Sequence, residues 1–229
     1  MIAAAVQDLA VETRHTPAEI SWDASPRNRL VAMHWRRTPE FHEFLTSHNF
    51  DVIVTARHPM DVLISILQFS QHEPATARWV NGEGGDESRI RGADPGSAAF
   101  LEYALSSRAA ALLAVSAEWS PYARAVVRYE DLVHRPEQTL AQVLGSLGLE
   151  AKGPLSNAVK DNAIERLRDF SVHHFWRGEP GIWRRLITPE NARQIHERHK
   201  TVFEVMGYGL GSSYSLSQKE SLENWKAIQ

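Results

Sequence analysis

Asp51-Val52-Ile53-Val54-Thr55-Ala56-Arg57-His58-Pro59-Met60-Asp61-Val62-Leu63-Ile64-Ser65 changes its pattern halfway along. Up to Ala56 it is a short apolar run rich in Val and Ile, which reads as a buried strand. Beyond Pro59, Val62, Leu63 and Ile66 recur at helical spacing. Proline suits a first helical turn because the N–H it lacks would have no partner there. Two more runs, Arg29-Leu30-Val31-Ala32-Met33 and Ala125-Val126-Val127-Arg128-Tyr129, have the character of strands, with helical patterns between the three. The fold class is therefore α/β, a parallel β-sheet flanked by helices.

The helices follow from period and punctuation. Leu101, Leu105, Leu112, Val115 and Trp119 share one face, predicting a single long helix over 97–119 that Pro121 ends. Pro136 opens a second helix with the stripe Leu140, Val143, Leu144 and Leu147, stopped by Gly148. Thr188 and Pro189 open a third, with Ile195, Val202 and Met206 on one face and Gly207 as terminator. The glycine-rich stretch 79–96 is long enough to be a functional loop and is read as a lid. The expected organisation is one domain over 1–210 and a polar tail, 211–229, either frayed or docked at one point through Trp225.

Composition narrows the function. The 229 residues carry a net charge of −3, so any anion is bound by local donors rather than by a bulk positive field, and no nucleic-acid partner is expected. There is no cysteine, which excludes disulfides, thiol nucleophiles and thiolate metal sites. No apolar run approaches the roughly 18 residues that span a bilayer, and no leader-like start is present, so the expected location is cytoplasmic. The His173-His174 pair and the helically spaced His196 and His199 lack an accompanying acidic ligand motif, and no metal is expected; His199 falls on an apolar stripe and reads as a core or boundary residue. GxxxxGK[ST], GxGxxG and GxSxG are all missing.

Four places can carry chemistry. Arg57 follows a strand at the edge where open parallel sheets bind ligands, and its planar fork of donors suits phosphate oxygens; Ser65, about two turns into the helix, can add a hydroxyl. Pairing of Arg57 with a nearby carboxylate accounts for it equally well. His34, just past a strand, can take a proton from a hydroxyl near neutral pH, or merely satisfy a hydrogen bond. Tyr129 offers an aromatic face and a hydroxyl for a base or phosphate, or packs as a core tyrosine. Arg177-Gly178 lets backbone N–H groups approach an anion beneath a guanidinium, or is only a turn beside Trp176 and Trp183.

In this order the residues resemble the sulfotransferase family that uses 3′-phosphoadenosine 5′-phosphosulfate (PAPS). The run Val52 to Ser65 resembles its 3′-phosphate motif, Val127-Arg128-Tyr129-Glu130-Asp131-Leu132 its VRYEDL segment, and the stretch Arg177 to Thr188 (RGEPGIWRRLIT) its RKGxxGDWKxxFT motif. The resemblance implies a P-loop-nucleoside-hydrolase-like sulfotransferase fold and transfer of a sulfuryl group from PAPS to a hydroxyl of a small-molecule or conjugate acceptor. It implies that Arg57 and Ser65 bind the 3′-phosphate, that Tyr129 lies near the adenosine, that Arg177 and Gly178 close over the 3′-phosphate, and that His34 is the catalytic base. Asn162 and Ile164 fall in the adenine-contact segment by position. Trp22, Trp35 and Trp79 can line an apolar acceptor cleft or belong to the core.

The sequence departs from the family in three places. Ala32 stands where a lysine is expected, Trp176 where the first basic residue of RKG is expected, and no stretch like YPKSGTTW, which holds the 5′-phosphosulfate, is present. Met1 to Leu9 looks like the later turns of the helix that follows that loop. The expectation is a fold without its first strand, a start at an internal methionine, and little or no transfer by these 229 residues. A non-catalytic sulfotransferase-like module that binds nucleotide or protein is the alternative.

Overall fold

A computed structural model describes residues 1–14, 16–20, 22, 28–72, 87–168 and 176–229. Trp79, His173, His174 and the stretch 79–86 lie outside the described residues. In chain order the elements are α1 (Ile2–Ala5), β1 (Ala10–Thr13), β2 (Arg29–Ala32), α2 (Pro39–Ser47), β3 (Ile53–Ala56), α3 (Pro59–His72), α4 (Ala98–Leu105), α5 (Ser107–Trp119), β4 (Ala125–Arg128), α6 (Tyr129–His134), α7 (Pro136–Leu147), α8 (Leu155–Asp161), α9 (Ile164–Arg168), α10 (Pro189–Arg198), α11 (Lys200–Met206) and α12 (Gln218–Ile228). Among the described residues two compact units form, one of 1–56 and 118–178, the other of 57–72, 87–117 and 179–229.

The first unit holds the four strands as two parallel pairs. In one, Val11 of β1 faces Leu30 of β2, and in the other Val54 of β3 faces Val126 of β4. Strand β1 is absent from the sequence reading: four residues whose sides are alternately half-buried and exposed give little apolar signal. Ala5 of α1 is buried with Leu140 and Leu144 of α7 and Ala158 of α8. Burial of an aliphatic side chain such as Leu140 contributes about 1.5–3 kcal/mol, so this small cluster fixes α1 even though it is only one turn long. Helix α7 has Pro136 in its first turn and ends at Gly148, whose φ of 65° is left-handed, as its sequence predicts.

In the second unit α3 buries Met60, Leu63, Ile64, Ile66 and Leu67. The single helix expected over 97–119 is two helices, α4 and the segment beginning with α5, bent by 52°. Ser106 is extended between them, and its hydroxyl accepts the N–H of Ala109, starting α5 afresh. The third predicted helix also breaks. His199 leaves helical geometry between α10 and α11, and its Nε2–H donates to the Ala104 carbonyl at 2.7 Å. As expected, it is a core histidine, 4% exposed. Among the described residues no single helix is long and apolar enough to cross a membrane.

The described part of the expected lid is packed. A 3-10 turn, Glu87–Ile90, buries both of its end residues, while the Arg91 guanidinium donates to the Ser70 carbonyl at 2.8 Å and Gly92 N–H to Gln71 Oε1 at 2.7 Å. The polar tail carries a helix and is docked at several points. Helix α12 starts with a reciprocal capping box between Ser217 and Glu220, buries Trp225 and Ile228, and reaches Gly96, Arg185, Leu186 and Gln68 by hydrogen bonds.

Candidate functional site

Arg57 comes directly after β3 in the chain and begins the second unit. It is half-buried, and its guanidinium is within electrostatic reach of Asp61. Asp61, in the first turn of α3, is fully buried; its Oδ2 accepts the Gly181 N–H at 2.6 Å and its Oδ1 the Trp183 N–H at 3.0 Å. Burial pushes the Asp61 carboxyl above its ordinary value, opposed by these two N–H groups and then by Arg57 and His58. Ser65 is exposed on the opposite face of α3 from the Leu63, Ile64 and Leu67 side chains.

His58 is locked by its neighbours. Its Nδ1 accepts the Met60 N–H at 3.3 Å, and its Nε2 lies 3.1 Å from the Gly209 carbonyl, to which it must donate. That pair of bonds assigns the neutral Nε2–H tautomer. The ring stacks on Trp183 at 4.9 Å and 16° and meets Phe203 and Tyr208 edge-on.

In the first unit the chain passes from β4 into Tyr129, the first residue of α6. The Tyr129 hydroxyl donates to the Gly178 carbonyl at 2.8 Å. Gly178 has φ of 67°, and a Cβ placed on it would lie 3.1 Å from both Tyr129 Oη and Ile164 Cδ1. Tyr129, Ile164 and Gly178 thus pack together, so closely that a side chain at position 178 would crowd the other two. Arg177 is exposed beside it, and Arg168 holds the preceding backbone, its Nε donating to the Trp176 carbonyl at 3.0 Å. Sequence reasoning missed Arg168, for a lone arginine at a helix end carries no pattern. Asn162 Oδ1 accepts from the Met1 amino group at 3.1 Å.

His34 lies two residues beyond β2 and is exposed, as is Ala32. The next residue, Trp35, has its carbonyl held by the Trp119 indole N–H at 2.8 Å. Trp35 also lines an open concavity of about 430 Å³ with Trp22, Phe41, Phe44 and Thr38 among its walls. Trp22 packs edge-on to Phe44 at 4.8 Å and Phe50 at 5.4 Å, with the Arg29 guanidinium 5.1 Å from its ring. Two of the three tryptophans expected at an apolar cleft therefore share one.

Residues 11–207 match the family model for the sulfotransferase domain. The chain belongs to the sulfotransferase family. Solved structures support the fold of this sulfotransferase-family chain. The crystal structure of mouse sulfotransferase SULT7A1 complexed with PAP is similar at a TM-score of 0.61 and 14% identity, over 89% of this chain and 78% of that one. Retinol dehydratase in complex with androsterone and the inactive cofactor PAP is similar at a TM-score of 0.51 and 15% identity, over 84% of this chain and 57% of that one. Direct comparison with curated protein sequences finds no significant match. The sulfotransferase-domain match contains every candidate residue, from His34 to Gly178. Among the described residues no cluster of His, Asp and Glu is arranged to hold a metal ion.

Proposed function

We propose that this sulfotransferase-family chain binds PAPS and transfers its sulfuryl group to a hydroxyl of an acceptor. The carrying observation is the match of residues 11–207 to the sulfotransferase-domain family model, within which Tyr129, Ile164 and Gly178 are brought together, the Tyr129 hydroxyl bonded to the Gly178 carbonyl. PAPS supplies the activated sulfuryl group and, in its 3′-phosphate, an anion to be held. In this reading Arg57 binds that phosphate through its guanidinium fork and Ser65 adds a hydroxyl donor. Arg177 and the Gly178 backbone are further phosphate contacts, and Tyr129 with Ile164 bounds the adenosine. His34, exposed past the end of β2, takes the proton of the acceptor hydroxyl.

The aromatic walls of the concavity around Trp22, Trp35, Phe41 and Phe44 favour an acceptor with an apolar body. Ala32 favours the second reading, a nucleotide-binding module without transfer, because it offers no cation to the transferring group.

Calorimetric titration with PAP tests the binding, and PAPS turnover over a panel of phenols, sterols and aliphatic alcohols tests the transfer. Wild type binds PAP, and Arg57→Ala loses about 10–100-fold in affinity, the value of a charge-assisted hydrogen bond. Transfer that His34→Ala abolishes, with PAP affinity kept, supports the enzyme; binding without transfer supports the module. Absence of PAP binding by the wild type would overturn both.

A further inference from the structure

We propose that Arg168 is a positioning residue for PAP recognition, fixing the backbone from which Arg177 projects; this rests on the proposed role of Arg177 as a phosphate contact. Arg168 is the last residue of α9 and grips one carbonyl with two donors. Its Nε reaches the Trp176 oxygen at 3.0 Å and its Nη2 the same oxygen at 2.5 Å. Nη2 also lies 3.5 Å from the Arg177 carbonyl, and the next carbonyl, that of Gly178, accepts the Tyr129 hydroxyl at 2.8 Å. Three successive carbonyls are thus held by side chains of α9 and α6. Ile164, at the other end of α9, meets the same segment, its Cδ1 standing 3.1 Å from where a Cβ at position 178 would be.

The carbonyls, which repel an anion, are spent on Arg168 and Tyr129, and the donors are not. Arg177 is exposed, and among the described residues its guanidinium meets no carboxylate and neither its N–H nor that of Gly178 has a hydrogen-bond acceptor. A cation and backbone N–H groups are what an anion needs. Their backbone is ordered beforehand, so less conformational entropy is lost when the anion is bound. A guanidinium suits the gripping role because its planar fork sets donors in fixed directions, whereas an ammonium is a point charge. Phosphate recognition depends on such directions as much as on charge.

An arginine in a last helical turn also favours its own helix by opposing the helix dipole. A residue that served α9 alone, or that drew the nucleotide by its own charge, would change PAP affinity whatever stands at position 177, whereas a positioning one acts through Arg177. The test is a double-mutant cycle on PAP affinity, by calorimetry, with Arg168→Ala, Arg177→Ala and the double variant, and circular dichroism as the check on folding. Arg168→Ala is expected to weaken PAP about tenfold in the wild-type background and by less than about twofold once position 177 is alanine. Unchanged affinity in Arg168→Ala, or the same loss in both backgrounds, overturns the inference. Should Arg168→Ala not fold, Arg168→Lys, which keeps the charge without the fork, decides in its place: a loss of about threefold or more that vanishes in the Arg177→Ala background upholds the inference, and anything else overturns it. Full affinity in Arg177→Ala strikes Arg177 and this inference while leaving Arg57 in the parent reading. Failure of the wild type to bind PAP overturns the parent reading and this inference with it.

Discussion

The Tyr129 hydroxyl closes on the Gly178 carbonyl at 2.8 Å, and the same hydroxyl stands 3.1 Å from where a Cβ at position 178 would be. Position 178 is therefore restricted twice, by its φ of 67° and by the space around it. Gly148 shares the left-handed backbone, with φ of 65°, but a Cβ there meets nothing within 4 Å. Both Gly→Ala variants should lose about 1–2 kcal/mol from backbone strain. Gly178→Ala should lose more, and it alone should weaken PAP. Urea unfolding and calorimetry of the two variants make the comparison, and equal behaviour would remove Gly178 from the proposed PAP site.

The second unit holds a buried charge. Arg108 Nε is 2.7 Å from Glu87 Oε1, the Glu87 side chain is wholly buried, and the Tyr103 hydroxyl donates to the same oxygen at 3.3 Å. Replacing Arg108 alone removes the cation from Glu87 Oε1 while the buried carboxylate stays. Arg108→Met is expected to cost about 3–5 kcal/mol in urea unfolding, and the Arg108→Met, Glu87→Gln pair distinctly less. Burial, reinforced by the Glu87 charge, drives the Tyr103 phenol far above its ordinary value. An alkaline absorbance titration should find this tyrosine un-ionised until the protein unfolds.

His199 makes stability depend on pH. Burial lowers its value below that of a free imidazole, although its bond to the Ala104 carbonyl acts the other way. The unfolded chain then takes up a proton more readily than the native one. The contribution of His199 is present above the ordinary value of about 6.5 and is lost as pH falls through the lowered native value. His199→Gln, which keeps an N–H donor but does not titrate, should flatten the acid side of the stability profile. A profile parallel to that of the wild type would exclude His199 as a source.

Helix α12 supplies stability as well as covering a surface. Trp225 is 6% exposed, and the Asn224 amide donates to the Arg185 carbonyl at 2.9 Å. Trp225→Ala should cost about 3–5 kcal/mol, the range for a buried large aromatic. A frayed tail would leave the melting temperature of Trp225→Ala unchanged.

Much of the fold was legible locally. Pro136 and Gly148 bracket α7 because proline is tolerated in a first turn and glycine reaches left-handed backbone without strain. The apolar stripe over 97–119 correctly marked helical residues yet hid the break at Ser106. Serine serves in a helix or as its cap, and only the Ala109 N–H it accepts tells which. The break at His199 was hidden likewise, its cause being a bond to Ala104, 95 residues away.

The sequence by itself determined the residue types available for chemistry and their order along the chain: strand then Arg57, strand then Tyr129, and Arg177 before a glycine. These are local properties, set by side-chain period and by the backbone freedom of proline and glycine. Only the tertiary structure decided which distant residues meet. Tyr129 finds Gly178 across 49 positions, and Asp61 finds Gly181 across 120. Periodicity is blind to such pairings, because they depend on how whole elements pack and on which buried polar groups must find partners. The sequence showed Asp61 only as an acidic residue in a first helical turn; the fold buried it and tied its two oxygens to the Gly181 and Trp183 N–H groups.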